Sequence, residues 1–138
     1  MSLRFVIAPL FVQVALTFVL LFITGGMRQR ALASRAVHPK DIALRQPNWP
    51  MRTMQFGYAY QNQLELPLLF YVLTILELIT RQADLLFVLL SWVFVVLRFV
   101  HVYIHVTHNK VRYRGMTFGA GALVLLVMWI AFGLRLLL

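Results

Sequence analysis

The chain has no cysteine among its 138 residues. That absence excludes a disulfide framework, a thiolate zinc site and a thiol nucleophile of the protein's own. Acidic residues are nearly as scarce: 4 Asp and Glu stand against 13 Lys and Arg, for a formal net charge of +9. Charged residues of all kinds make up only 12%, about half of the ~25% that wets the surface of an ordinary soluble domain. Seven Gly and five Pro are too few for a collagenous chain, and 62% hydrophobic residues are too many for a disordered one. There is no internal repeat and no low-complexity tract. What remains is a composition whose solvent is mostly lipid.

Four apolar stretches account for it: residues 3–24, 54–80, 85–106 and 116–138. Each is near or above the ~20 residues that a helix needs to cross ~30 Å of hydrocarbon. The first is too long for the apolar region of a secretory signal. Arg28 and Arg30 also intervene before the cleavage-like Ala31-Leu32-Ala33, so it reads as a retained span. The predicted fold is all-α: an integral membrane four-helix bundle, with residues 1–138 forming a single four-span domain. The connection over 25–53 contains Pro39, Pro47 and Pro50, and is expected to be irregular with room for one short helix. The connection near Arg81 to Asp84 is tight enough to make spans 2 and 3 an antiparallel hairpin.

A charge of +9 could belong to a nucleic-acid binder, but its placement argues against one. Arg28, Arg30, Arg35, Lys40, Arg45 and Arg52 follow span 1, and Lys110, Arg112 and Arg114 follow span 3. Only Arg4, Arg81 and Arg135 belong to the other side. Nine against three puts the first and third connections in the cytoplasm and both termini on the non-cytoplasmic side.

Polar groups inside a span are costly, so each needs a partner, a wet cavity or a function. Span 2 carries Gln61, Asn62, Gln63 and Glu65; span 3 carries Arg98, His101 and His105. Helical spacing puts Asn62 with Glu65 on one face, and Arg98, His101 and His105 on another. Glu65 lies 16 residues before Arg81, while Arg98 and His101 lie 14 and 17 residues after Asp84. At about 1.5 Å per residue, all three sit ~21–26 Å from the outer turn. Arg28 and Arg114 stand at the same end of their spans, so the polar groups are expected to converge on one level of the cytoplasmic leaflet.

Several readings of these residues stay open. Glu65 and Arg98 are suited to a structural ion pair locking the span 2–span 3 hairpin, which does not preclude ligand contact. His101 and His105 are suited to hydrogen bonds between helices. Imidazoles at i and i+4 cannot take opposite axial positions on one haem, and two His with Glu65 make a poor zinc site, so neither metal nor haem is expected. Pro67 frees the carbonyl of Gln63 and is expected to kink span 2 beside Glu65. Gly115 and Gly119 form a small-xxx-small face that would press Arg114 toward a neighbouring helix. Glu77 is expected to hydrogen-bond a neighbouring helix.

The run Asn62-Gln63-Leu64-Glu65-Leu66-Pro67-Leu68-Leu69-Phe70, then Arg98-Phe99-Val100-His101, then Asn109-Lys110-Val111-Arg112-Tyr113-Arg114 resembles the MAPEG family. These are membrane-associated proteins in eicosanoid and glutathione metabolism, among them microsomal glutathione transferases. The resemblance begins at Ile23-Thr24-Gly25-Gly26-Met27-Arg28 and covers most of the chain. It implies a homotrimer with glutathione bound between neighbours near the cytoplasmic side. Arg28, Asn62, Glu65, Arg98, His101 and His105 would then be ligand-contacting or supporting residues, and Arg114 the catalytic stabiliser of the glutathione thiolate. The sequence departs from better-known members at His105 and Phe118, where they have tyrosine, and at Gly115, the place of a possible hydroxyl donor.

Three functions follow as expectations. The first is a glutathione-dependent transferase or peroxidase acting on hydrophobic electrophiles, with hydrophobic small molecules or lipids as its partners in the membrane. The second is a non-catalytic relative, either a lipid-binding regulator or an accessory subunit of a membrane complex. A small proton-coupled carrier is disfavoured, because Arg98 would occupy the carboxylate that a carrier needs free. The topology itself is testable, since a chain without cysteine gives no background with a membrane-impermeant maleimide. Ser2→Cys should label from the non-cytoplasmic side and Lys40→Cys only after permeabilisation; the reverse pattern would invert the orientation.

Overall fold

The computed structural model describes all 138 residues, and they form helices with no strand. Helix α1 covers Leu3–Ala33, α2 Met51–Asn62, α3 Leu66–Ile79, α4 Leu85–Val106 and α5 Val111–Leu137. Helices α2 and α3 together make one span-length unit, so four helical segments are long and apolar enough to cross a membrane. Three of them outrun their apolar stretches, the second by beginning three residues early at Met51. Helix α1 continues to Ala33 through Arg28 and Arg30, and α5 begins five residues early at Val111. Helix geometry does not stop where hydrocarbon does, because residues beyond it still form backbone hydrogen bonds in water. The irregular connection is therefore residues 34–50, with one short 3₁₀ turn at Pro39–Asp41.

The second span is broken rather than kinked. Proline at position 67 donates no hydrogen bond, and α3 starts around it, where a missing N–H costs nothing. The ladder shortens to three-residue bonds through the break, from Gln63 N–H to Tyr60, Leu64 to Gln61 and Glu65 to Asn62. Unpaired backbone is costly in lipid, and a buried side chain braces the break. Gln63 donates from Nε2 to the Ala59 carbonyl at 2.9 Å and accepts on Oε1 from Gln13 of α1 at 3.0 Å. Both glutamines are wholly buried.

Helix α1 packs against α2, α3 and α4, while α5 lies along α4 and also touches α3. One apolar core holds Val6, Phe70, Phe94, Leu125 and Phe132; a smaller one holds Leu16, Leu20, Ala59 and Val102. Only 31 of 138 residues are buried, so most apolar surface is left for lipid. The α4–α5 contact runs through Gly121, where an added Cβ would lie 3.9 Å from Phe94. Gly115 and Gly119 do not have the expected role within the chain, because no atom comes within 4 Å of a Cβ built at either.

At the end of the bundle that holds the α3–α4 turn, Arg135 clamps α5 to the α3–α4 hairpin. It bonds Glu77 at 2.9 Å, Asp84 at 2.8 Å and the Gln82 carbonyl at 3.0 Å. Asp84 also caps α4 by accepting from Phe87 N–H at 2.8 Å. The Glu77 side chain is wholly buried, so its charge depends on this one cation. Arg135→Ala should therefore lower unfolding free energy by about 3 kcal/mol in a reversible detergent titration. Adding Glu77→Gln should return part of that loss.

Candidate functional site

Three segments build a cavity of about 500 Å³ at the end of the bundle opposite Arg135. Tyr58, Gln61, Asn62 and Glu65 come from α2 and the break, and His101 and His105 from α4. Val111, Arg114, Gly115 and Phe118 come from α5. The break matters here: it ends α2 at Asn62 and leaves Glu65 exposed at the start of α3 rather than wound into the bundle.

Arg98 is not in that lining. It is 1% exposed and lies behind the cavity, where its Nη2 donates to the Asn62 side-chain oxygen and, at 3.4 Å, to the Asn62 carbonyl. Asn62 in turn donates from Nδ2 to Glu65 Oε2 at 3.5 Å. The expected Glu65–Arg98 ion pair is thus replaced by a relay with an amide in the middle. The order follows from donor and acceptor chemistry: guanidinium only donates, carboxylate only accepts, and an amide does both from opposite ends. Glu65 is held this way while its carboxylate still lines the cavity.

On the facing wall, Arg114 donates from Nη1 to Asn109 Oδ1 at 2.6 Å. Asn109 has φ 51°, a left-handed conformation that Asn tolerates better than most residues, and makes the α4–α5 turn. His101 Nδ1 lies 3.1 Å from the Arg114 carbonyl and 3.3 Å from Thr117 Oγ1. A carbonyl only accepts, so Nδ1 carries the hydrogen and Nε2 is a bare acceptor. His101 and His105 pack edge to face with centroids 5.8 Å apart. Helix α2 also closes the open end of α4: Gln55 Nε2 donates to the His105 carbonyl at 3.1 Å and Arg52 to that of Val106. A cation at a helix C-terminus suits the dipole.

Arg28 stands apart from this group. It lies 5.3 Å over the Trp49 ring and lines a second cavity of about 830 Å³ with Arg45, Met54, Gly57 and Leu64. Tyr58, Gln61 and Glu65 border both cavities, so α2 is the partition between them. The structure therefore brings Asn62, Glu65, His101, His105 and Arg114 together, sets Arg98 behind them and leaves Arg28 across the partition. No three His, Asp or Glu side chains gather as a metal set. Gln13, Tyr58 and Thr117 are not among the residues expected from the sequence. The first had a usable mark, a lone amide in the middle of an apolar span; Tyr58 and Thr117 had none.

The first cavity thus offers a carboxylate and a guanidinium on opposite walls with two imidazoles between. That arrangement suits a small ligand bearing charges of both signs. Fold and cavity together define an integral membrane four-helix bundle with a polar site near one end. The chain belongs to the MAPEG family, whose profile matches residues 6–134. No curated protein and no solved structure matches it.

The relay is testable by stability. Asn62→Ala removes both the side-chain acceptor of buried Arg98 and the donor to Glu65, and should cost about 2 kcal/mol. In a double-mutant cycle with Arg98→Met the two losses should be non-additive, because the second change removes the orphaned charge. Additive losses would mean that Asn62 and Arg98 act independently.

Proposed function

We propose that the protein is a membrane-embedded, glutathione-dependent transferase or peroxidase acting on hydrophobic electrophiles dissolved in the bilayer. The observation that carries this reading is Glu65 and Arg114 facing one cavity of about 500 Å³, in a chain of this family. Glutathione has one ammonium, two carboxylates and a thiol. Glu65 suits the ammonium, and a guanidinium suits either a carboxylate or the thiolate. Arg114 is the thiolate stabiliser: a positive charge beside sulfur favours its ionised form and enlarges the nucleophilic fraction at neutral pH. The electrophile reaches the sulfur from the lipid side, past Val111 and Phe118.

Arg28 enters this reading through oligomerisation. Within one chain it lies across α2 from Arg114. In a homotrimer with the ligand between neighbours, the Arg28 of an adjacent copy supplies the second guanidinium that a dicarboxylate requires. The nine basic residues of the first and third connections support a site in the cytoplasmic leaflet, where glutathione is abundant.

A non-catalytic relative is the second reading, favoured by one observation. His105, Gly115 and Phe118 all line the cavity, and none has the hydroxyl expected at those places. Purified protein in nanodiscs separates the two. With reduced glutathione and a chromogenic aryl halide, the wild type should conjugate. Arg114→Ala should lose about a hundredfold in kcat and less than tenfold in glutathione affinity by calorimetry. Binding without turnover would favour the regulator; neither binding nor turnover would remove glutathione from the site.

A further inference from the structure

The two histidines present a complementary pair of idle nitrogens. His101 Nε2 and His105 Nδ1 are both buried and neither has a hydrogen-bond partner. His101 is anchored through Nδ1–H on the Arg114 carbonyl, which makes Nε2 an obligatory acceptor with no donor. His105 Nδ1 belongs to the neighbouring ring, edge-on at 5.8 Å between centroids. A buried acceptor and a buried potential donor each carry a desolvation cost while unpaired, and the two rings stand one turn apart on α4. The other nitrogen of His105, Nε2, makes no bond within the chain, and His105 lines the cavity with Arg114.

We infer that His105 is the general base that takes the thiol proton, with His101 as its positioning residue. This rests on the cavity being the glutathione site. In the step proposed, the S–H bond breaks and its electron pair stays on sulfur, beside the Arg114 guanidinium. The proton forms an N–H bond at His105 Nε2. The imidazolium then has a hydrogen on Nδ1, which His101 Nε2 accepts, while His101 Nδ1–H remains on the Arg114 carbonyl. The base is oriented by a second group and that group by a third, which is the arrangement an activated nucleophile requires. With an aryl halide, the thiolate forms the C–S bond, the C–halogen bond breaks, halide leaves and the imidazolium proton passes to water.

The arrangement gives His105 a role that its position on the helix alone would not. It also gives His101 a reason to be tied to backbone rather than to the carboxylate of Glu65. The groups facing His105 are Tyr58 and Glu65 from the α2 side, Arg98 and His101 on α4, and Arg114 on α5.

The experiment is the pH–rate profile of glutathione conjugation to an aryl halide in nanodiscs, with thiolate formation followed by ultraviolet absorbance. His105→Gln should lower kcat at neutral pH by about a hundredfold, leave the KM for glutathione within about twofold, and abolish the acid limb of the profile. His101→Gln, whose amide still donates to one side and accepts on the other, should retain most of the rate; His101→Leu should not, and should shift the acid limb. If His105→Gln does not fold, His105→Tyr provides the same test, since a phenol ionises near pH 10 and should move the limb upward. Wild-type rate and an unchanged acid limb in a folded His105 variant would overturn the inference. Failure of the underlying reading looks different: the wild type itself would neither bind glutathione nor form thiolate.

Discussion

Hydrocarbon leaves no water to satisfy a stray polar group, and in this molecule that constraint acts most sharply at the break between Asn62 and Leu66. Proline at 67 removes one donor and opens the helix. In a soluble protein the freed groups would be hydrated. Here the ladder tightens to three-residue bonds and a buried Gln13–Gln63 pair braces it. The break then decides where everything else stands. Asn62 ends one helix and Glu65 precedes the next, and a carboxylate that a continuous helix would carry along its length is held at a cavity mouth.

The same constraint shapes the two charge systems. At the end with the α3–α4 turn, one arginine neutralises a buried glutamate and ties three helices together. At the other end the buried arginine has no carboxylate in contact and is bound to an amide. A direct Arg98–Glu65 pair would have compensated both charges more fully. With Asn62 between them, the glutamate is oriented but its charge is only partly compensated, and the cavity keeps an anionic wall opposite Arg114.

Much of this was visible in the residues before the structure. The four apolar stretches, the tight turn at Arg81 to Asp84, and the common depth of Glu65, Arg98 and His101 follow from counting at 1.5 Å per residue. Helical spacing also put Arg98, His101 and His105 on one face. Counting could not say which of two groups at one depth touch. It put Arg28 on the level of Arg114 without showing that α2 stands between them, and it paired Arg98 with Glu65, although Asn62 intervenes. Rotation about a helix axis and side-chain reach are decided by packing, which linear spacing does not encode. The glycines at 115 and 119 failed for the same reason, since a small-residue face says that approach is possible and not that a helix arrives.

By itself, the sequence determined the solvent, the number of crossings and which polar groups the spans carry. Those depend on composition, on run length and on which residue types occur within a span, and each of these is a property of the chain in one dimension. Tertiary structure alone decided that Asn62 mediates between two charges, that Arg135 is the cation that neutralises Glu77, and that two neighbouring histidines each keep an unpartnered nitrogen. These are relations between distant residues with definite donor and acceptor directions. They exist only once the helices have settled at particular rotations against one another.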